Sequence, residues 1–133
     1  MVVPVKRALV LGVVTGVVWL LFWPRVVMLR CLEGDARALG ALQGLREKVA
    51  AYRYSHDRYP ASLAEVGVPA LELYSYDAGA DRVHAHRLID QEAPLVGAAD
   101  GDEGKWLYDP QTGRVVLGCT AVETKLRRPW NQH

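Results

Sequence analysis

The chain has 133 residues, half of them apolar, with 16 Lys and Arg, 15 Asp and Glu, and a net charge of +1. This length holds one domain of roughly 100 residues and one further segment, which excludes a two-domain enzyme. A nucleic-acid-binding protein is usually strongly basic on one face, and the near-neutral charge argues against that class. The two cysteines are too few for a disulfide-rich scaffold or a cysteine-rich zinc site.

An apolar run near the N-terminus predicts a membrane-spanning segment within residues 1–30. The 22 residues from Ala8 to Leu29 contain only Thr15 and Arg25 as polar side chains. At about 1.5 Å per residue, such a run crosses a hydrocarbon core of about 30 Å. An aromatic cluster near its end is typical of a membrane interface, and the proline there is expected to kink the helix without ending it; these residues are Trp19, Phe22, Trp23 and Pro24.

The fate of this segment has three alternatives, a permanent anchor, a cleaved secretory signal and a lipoprotein signal. The last needs a small residue before Cys31, where the chain has Arg30. The run is not followed directly by a small-x-small cleavage site, which favours the anchor. Two basic residues precede the run and two follow it, so the charge bias is nearly even. We favour a cytoplasmic N-terminus and a polar domain outside. Gly12 and Gly16 have the spacing that lets two membrane helices approach closely, although a plain lipid-facing segment also accounts for them.

Residues 32–57 have apolar side chains at steps of three and four, which predicts an amphipathic helix. Because no proline separates it from the membrane segment, we expect one helix from about residue 5 to 57. This helix ends before Pro60, since the residue preceding a proline avoids helical dihedrals. Ser62 and Glu65 then have the spacing of a capping box, which predicts a short second helix.

The remaining sequence predicts about four antiparallel strands in two hairpins. Alternating runs at 71–76 and 82–89 form the first hairpin. Runs at 105–108 and 114–119 form the second, around the turn sequence Asp109–Gly113. We interpret residues 90–104 as a long acidic, Gly-rich loop.

The predicted fold class is α+β, with a long N-terminal helix packed against a small antiparallel sheet. The first half of the helix is membrane-embedded, and the apolar stripe of its second half is the surface that the sheet needs to cover. The expected organisation is a membrane segment at 1–30, an α+β head at 31–124 and an exposed basic tail at 125–133.

Two histidines are candidate metal ligands. His84 and His86 are two residues apart on a predicted strand, so they project from the same face and can bind one metal ion. The pattern identifies no third ligand. An ordinary solvent-facing pair is the alternative, and the pattern favours it.

The acidic loop supplies candidate calcium ligands. Asp100, Asp102 and Glu103 provide the oxygen donors that Ca²⁺ prefers in a flexible loop. Their spacing does not match an EF-hand, and a solvated acidic loop is the alternative. We therefore expect no bound cofactor, with calcium as the alternative.

Cys31 follows the membrane segment and Cys119 ends the last predicted strand. In an oxidising compartment the pair can form a disulfide, worth on the order of 4 kcal/mol for a loop of this length. Two unpaired thiols are the alternative. The chain also lacks a nucleophile elbow and a Gly-rich phosphate loop, so we expect no enzyme and no small-molecule substrate.

The order of elements resembles the type IV pilin and type II secretion pseudopilin superfamily. The likeness is closest over Leu39–Val66, where the helix exit reads Arg58-Tyr59-Pro60 and is followed by Ser62-Leu63 and Glu65. The hairpin sequence from Trp106 to Val115 is similar to the closing hairpin of these proteins. The segment at Gly97–Gly101 also resembles part of the calcium loop of major pseudopilins.

The resemblance implies a membrane-anchored structural subunit or accessory of a type IV pilus-like or type II secretion assembly. Its partners would be membrane lipid and other pilin-like subunits or secretion machinery, with no nucleic acid. It would lie in a bacterial inner membrane as a single-pass protein, with the C-terminal domain periplasmic or extracellular. Gly12 would end the leader, but Val13 and Val17 stand where prepilins have Phe and Glu, which fits a divergent minor subunit. The alternative is a stand-alone anchored binding domain that uses loop 90–104 to hold calcium or a protein partner.

Overall fold

A computed structural model describes residues 5–77, 82–97, 101–125 and 127–133. The chain divides into two compact units, Met1–Arg30 and Cys31–His133. Within the described residues a long helix, α1 (Val5–His56), precedes a 3-10 turn (Leu63–Glu65), a set of strands and a second 3-10 turn (Trp130–Gln132). The strands are β1 (Leu71–Asp77), β2 (Arg82–Ile89), β3 (Glu92–Pro94), β4 (Lys105–Asp109) and β5 (Arg114–Gly118). The fold is therefore α+β, as predicted.

Helix α1 is continuous over 52 residues and passes through Pro24, which confirms the prediction of one helix from about residue 5 to 57. It ends at His56, and Asp57 adopts a left-handed φ of 54°, as residues after helix ends often do. In the unit Cys31–His133 the helix buries a stripe at steps of four, three and four residues, formed by Ala38, Leu42, Leu45 and Val49. That stripe is the face predicted to cover the sheet.

Both predicted hairpins are present. Strands β1 and β2 form a two-stranded antiparallel sheet, and β4 pairs antiparallel with β5. In the turn between β4 and β5, the Gly113 N–H donates to the Asp109 carbonyl at 2.8 Å. The Asp109 carboxylate also accepts from the Gln111 N–H at 2.9 Å. Gly113 has a φ of 72°, a conformation that favours glycine.

The interpretation of residues 90–104 as a loop is wrong at β3, which pairs in parallel with β4. The second sheet is therefore mixed, in the order β3-β4-β5. The pairing is extended by hydrogen bonds from the Leu95 N–H to the Tyr108 carbonyl and from the Trp106 N–H to the Gln91 carbonyl, both 2.9 Å. A strand of three residues is too short to show an alternating pattern, so only its long-range partner reveals it.

The two sheets and the helix stripe share one apolar core. The second sheet contributes Trp106, Tyr108, Val115 and Leu117, and the first contributes Leu71, Leu73 and Ile89. Burying a large apolar side chain contributes about 1.5–3 kcal/mol, so this core is the main source of stability in the unit Cys31–His133.

The helix exit is held against this core by its predicted capping box. Ser62 accepts from the Ala64 N–H, and Glu65 closes the box, although the turn is 3-10 and not α-helical. The Ser62 hydroxyl also donates to Glu92 at 2.7 Å, and the Leu63 N–H donates to the same carboxylate at 2.8 Å. Glu92, predicted to lie in an acidic loop, thus accepts two hydrogen bonds that hold the 3-10 turn in place.

The prediction of an exposed basic tail at 125–133 holds for Lys125, Arg127 and Arg128 but is wrong for Trp130 and Asn131. Trp130 is fully buried, and Asn131 is buried as well. The Trp130 N–H donates to the Ala121 carbonyl at 3.0 Å. The half-buried Arg46 guanidinium of α1 donates to the Val115 carbonyl at 2.8 Å and to the His133 carbonyl at 2.6 Å. The basic composition of 125–133 predicted exposure, but one aromatic residue in it has enough apolar area to hold the segment in the core.

A buried polar network links α1, β1 and the C-terminal segment. The Ser75 hydroxyl donates to the Asp35 carboxylate at 2.5 Å and accepts from the Trp130 indole N–H at 2.9 Å. The other Asp35 oxygen accepts from the Thr124 N–H at 2.9 Å. Because Asp35 and Ser75 are buried, these bonds satisfy polar groups that would otherwise destabilise the core.

Candidate functional site

Two histidines of β2 point toward the interior and not into solvent. In the β1–β2 register, His84 lies opposite Ser75 and His86 lies opposite Leu73, and both of these partners are fully buried. Residues directly opposite in an antiparallel pair share a face. Each histidine side chain is 19% exposed. The favoured alternative of a solvent-facing pair is therefore wrong.

Two further side chains reach the histidines from the open end of the β4–β5 hairpin. Asp102 precedes β4, and Cys119 directly follows β5. The register places Lys105 opposite Gly118, and the Gly104 N–H donates to the Gly118 carbonyl at 2.8 Å. Antiparallel pairing thus brings together two residues that are 17 positions apart in the sequence.

The four side chains converge on one point. The Nε2 atoms of His84 and His86 are 3.1 Å apart. The Asp102 carboxylate lies 3.1 Å from each of them, through Oδ2 to His84 and through Oδ1 to His86. One ligand atom from each of these residues and from Cys119 lies within 4.8 Å of all the others.

The charge of the cluster follows from its hydrogen bonds and its burial. Burial acts to raise the pKa of Asp102, but the Thr120 N–H, the His86 ring and the charges of the two histidines outweigh it and lower the pKa. The Thr120 N–H lies 3.3 Å from Oδ1. Burial raises the pKa of the Cys119 thiol to about 12, and the neighbouring Asp102 adds to this effect. The cluster therefore holds an ionised carboxylate beside a protonated thiol.

Gly104 makes room for one of the rings. It has a φ of 62°, and a Cβ at this position would lie 2.5 Å from Nδ1 of His86. A side chain at residue 104 would displace the ring, so both the backbone conformation and the close approach require glycine. This glycine therefore leaves the space that the His86 ring occupies.

The donor set consists of two imidazole nitrogens, one carboxylate oxygen and one thiol sulfur. Nitrogen and sulfur donors suit Zn²⁺ and related ions, whereas Ca²⁺ takes oxygen ligands. Of the three expected calcium ligands, Asp100 lies outside the described residues. Glu103 and Asp102 are both exposed, and the Asp102 carboxylate contacts the two histidines. The structure thus directs Asp102 toward nitrogen and sulfur donors.

Both cysteines are free and buried in the described part of the chain. The possible disulfide between Cys31 and Cys119 is absent there, and the favoured interpretation of two unpaired thiols matches the structure. Cys31 belongs to α1, while Cys119 lies beside the histidines. The positions of the two cysteines in the sequence do not predict which residues surround each thiol in the fold.

In Met1–Arg30, α1 is exposed and apolar. Among the described residues it is the single helix long and apolar enough to cross a membrane, and none of its most apolar stretch is buried. Trp19, Phe22 and Trp23 are all more than half exposed, and the two indole rings stack with centroids 5.0 Å apart. A Cβ added at Gly12 or Gly16 would meet nothing within 4 Å, so both glycines lie on an open helix surface.

The sequence marked His84 and His86 but missed Cys119 as their neighbour. Once the structure shows that this strand face points inward, partners are expected, because buried polar side chains are usually hydrogen-bonded. The partners themselves come from a hairpin end that no local pattern connects to β2. Comparisons with protein-family models, with curated proteins and with solved structures find no significant match to this chain.

Proposed function

We propose that this chain is a non-enzymatic, single-pass membrane protein that serves as a pilin-like structural subunit or accessory of a type IV pilus-like or type II secretion assembly. One observation supports this proposal above the others. The same continuous helix exposes apolar side chains before residue 30 and buries an apolar stripe after it.

The exposed part of this helix needs a non-aqueous partner. Fifteen large apolar side chains between Leu9 and Leu29 are exposed, and their helix surface far exceeds the apolar patches of a few hundred Å² that monomeric soluble proteins show. Lipid or neighbouring helices supply the missing contacts. From the resemblance to pilins we infer that the segment lies in a bacterial inner membrane, with Cys31–His133 on the periplasmic or extracellular side.

A stand-alone anchored binding domain is the second candidate. The polar cluster around Asp102 favours it, since Asp102 belongs to the 90–104 segment that this candidate would use. Val13 and Val17 favour it too, because they replace the Phe and Glu of prepilins. The two candidates differ in whether copies of the chain associate through the membrane segment.

Membrane insertion is tested by alkaline carbonate extraction of membranes from cells that express the full chain. Wild type should remain in the pellet. The variant Val18→Lys places a charge near the centre of the apolar run, at a cost of about 2.5–3.5 kcal/mol, and should shift the protein toward the soluble fraction. Glu47→Lys changes an exposed residue of the same helix and is the matched control. Extraction of wild type at alkaline pH would refute the anchor.

The assembly role is tested by the intact mass and by association in the membrane. Loss of residues 1–12 from protein extracted from its native membrane would support prepilin-type processing, while the full mass would leave a permanent anchor. Chemical cross-linking in membranes should yield multimers of wild type and fewer of the double variant Gly12→Leu, Gly16→Leu. Gly40→Leu, at an exposed helix position with open space around it, should leave the multimers unchanged. A monomer of full mass under all conditions would favour the binding domain.

A further inference from the structure

We propose that His84, His86, Asp102 and Cys119 bind one Zn²⁺ ion in a four-coordinate site. This inference does not depend on the proposed assembly role, because all four residues lie in the unit Cys31–His133. The site would join β2 of the first sheet to the open end of the hairpin in the second sheet.

The distances between the donor atoms are close to those of a tetrahedral zinc site. Zinc bonds of about 2.0–2.3 Å to nitrogen, oxygen and sulfur place neighbouring ligand atoms roughly 3.3–3.6 Å apart. The two Nε2 atoms are 3.1 Å apart. The Asp102 carboxylate lies 3.1 Å from each of them, through Oδ2 to His84 and through Oδ1 to His86. Cys119 completes the set, with every pair of ligand atoms within 4.8 Å.

Hydrogen bonds alone do not satisfy this arrangement. Each Nε2 holds at most one proton, and each faces both the other Nε2 and the Asp102 carboxylate. If both Nε2 atoms donate to Asp102, the contact between the two histidines has two donors and no acceptor lone pair. If only one is protonated, the other presents a lone pair to the carboxylate. A Zn²⁺ ion at the centre accepts a lone pair from every member of the cluster at once, and the Cys119 thiol releases its proton to solvent when its sulfur binds.

The surroundings hold the ligands as the second shell of a metal site does. The Thr120 N–H donates to Asp102 at 3.3 Å, and Gly104 leaves the space that His86 occupies. Cys119 is fully buried, and its sulfur lies within 4.8 Å of the other three ligand atoms. The two histidines share their face of the sheet with Leu73 and Ile89, which belong to the apolar core.

A bound zinc ion would cross-link two parts of the fold that are far apart in the sequence. His84 and His86 lie on β2, whereas Asp102 and Cys119 lie at least 16 residues later. Since a ligand that binds only the folded state stabilises it, zinc should raise the unfolding temperature of the whole chain.

The test uses untagged full-length protein in detergent micelles, kept reduced and freed of metal with a chelator. Zn²⁺ is titrated against a competing chromophoric chelator. Wild type should bind one equivalent, and His86→Gln, Asp102→Asn or Cys119→Ser should each weaken binding by at least about 100-fold. His56→Gln and Cys31→Ser alter a histidine and a cysteine outside the cluster, and they should leave the affinity within about 2-fold of wild type.

Cobalt gives an independent spectroscopic result. Co²⁺ bound by wild type should show a thiolate-to-cobalt charge-transfer band and the strong visible bands of a four-coordinate ion. The charge-transfer band should be missing in Cys119→Ser and retained in Cys31→Ser. Where a variant folds poorly, a second measurement replaces its titration. Zinc should raise the unfolding temperature of wild type, measured by circular dichroism, and this rise should be largely lost in His84→Gln.

Three results would overturn the proposal. One is the failure of wild type to bind Zn²⁺ at 100-fold excess of the ion over protein. Another is unchanged binding in the His86→Gln and Cys119→Ser variants. The third is Ca²⁺ that displaces Zn²⁺ at equal concentration, which would return Asp102 to the calcium interpretation. None of these results depends on whether the chain assembles into a filament.

Discussion

Replacement of Trp130 by alanine tests whether the C-terminal segment belongs to the core. Trp130 is fully buried, and its indole N–H donates to Ser75 at 2.9 Å. Removing a buried Trp side chain costs about 3–5 kcal/mol, and the lost hydrogen bond accounts for about 1 kcal/mol. The two costs overlap, so we expect a loss of about 4 kcal/mol from a total of about 5–15 kcal/mol.

Two further variants separate the causes of this loss. Trp130→Phe keeps most of the apolar area but removes the indole N–H, so it should cost about 1–3 kcal/mol. Gln132→Ala changes an exposed residue of the same 3-10 turn and should cost less than about 0.5 kcal/mol. If the indole is packed in the core, the loss of free energy of unfolding should be largest for Trp130→Ala, smaller for Trp130→Phe and smallest for Gln132→Ala.

The assay is urea unfolding of full-length protein in micelles, followed by far-ultraviolet circular dichroism. The midpoint and the slope together give the free energy of unfolding. If Trp130→Ala shifts it by less than about 1 kcal/mol, as an exposed residue would, the segment is not packed as described. The prediction of an exposed basic tail would then stand.

Three further predictions use the same urea assay. Ser62→Ala removes the N-cap of the first 3-10 turn and should cost about 1 kcal/mol, whereas Ala64→Ser at an exposed position of that turn should be nearly neutral; equal effects would show that the cap does not matter. Gly113→Ala forces a side chain into a left-handed conformation against the Tyr59 ring and should cost about 1–3 kcal/mol, while Gly40→Ala, with open space around it in α1, should stabilise by about 0.5–1 kcal/mol; stabilisation by both would contradict the turn. Tyr108→Phe removes a buried hydrogen bond to the Pro60 carbonyl of 2.8 Å. Burial, with neighbouring carboxylates, raises the pKa of Tyr108 to about 12, so the folded state keeps a proton that the unfolded state loses near pH 10. Wild-type stability should therefore fall between about pH 10 and 12, and its advantage over Tyr108→Phe should shrink across that range; a constant difference would refute the raised pKa.

Local patterns were sufficient for most secondary structure. The apolar runs of α1 and the absence of a separating proline predicted one helix over both halves, because helix formation depends on contacts three and four residues apart. The turn residues around Gly113 predicted the second hairpin, because the dihedral angles they allow are local properties. Strand β3 was missed, since a short parallel strand exists only through its distant partner β4.

Packing decided which charged and polar residues are buried. Glu92 was predicted as part of an acidic loop, but in the fold it accepts hydrogen bonds from Ser62 and Leu63. Trp130 lies in a basic stretch, and its burial depends on a place in the apolar core that the sequence does not reveal. Charge composition describes a segment as a whole, whereas burial is decided by single side chains.

The sequence by itself determined the class of fold, the exposed apolar segment and the pairing of His84 with His86 on one strand face. These features follow from the spacing of apolar and polar residues along the chain, which is a local property. Only the tertiary structure decided that this strand face points inward, and that Asp102 and Cys119 meet it from the end of another hairpin. Ligand atoms a few ångströms apart in space were separated by up to 35 positions along the chain, and the hydrophobic packing that closes such distances has no local signature.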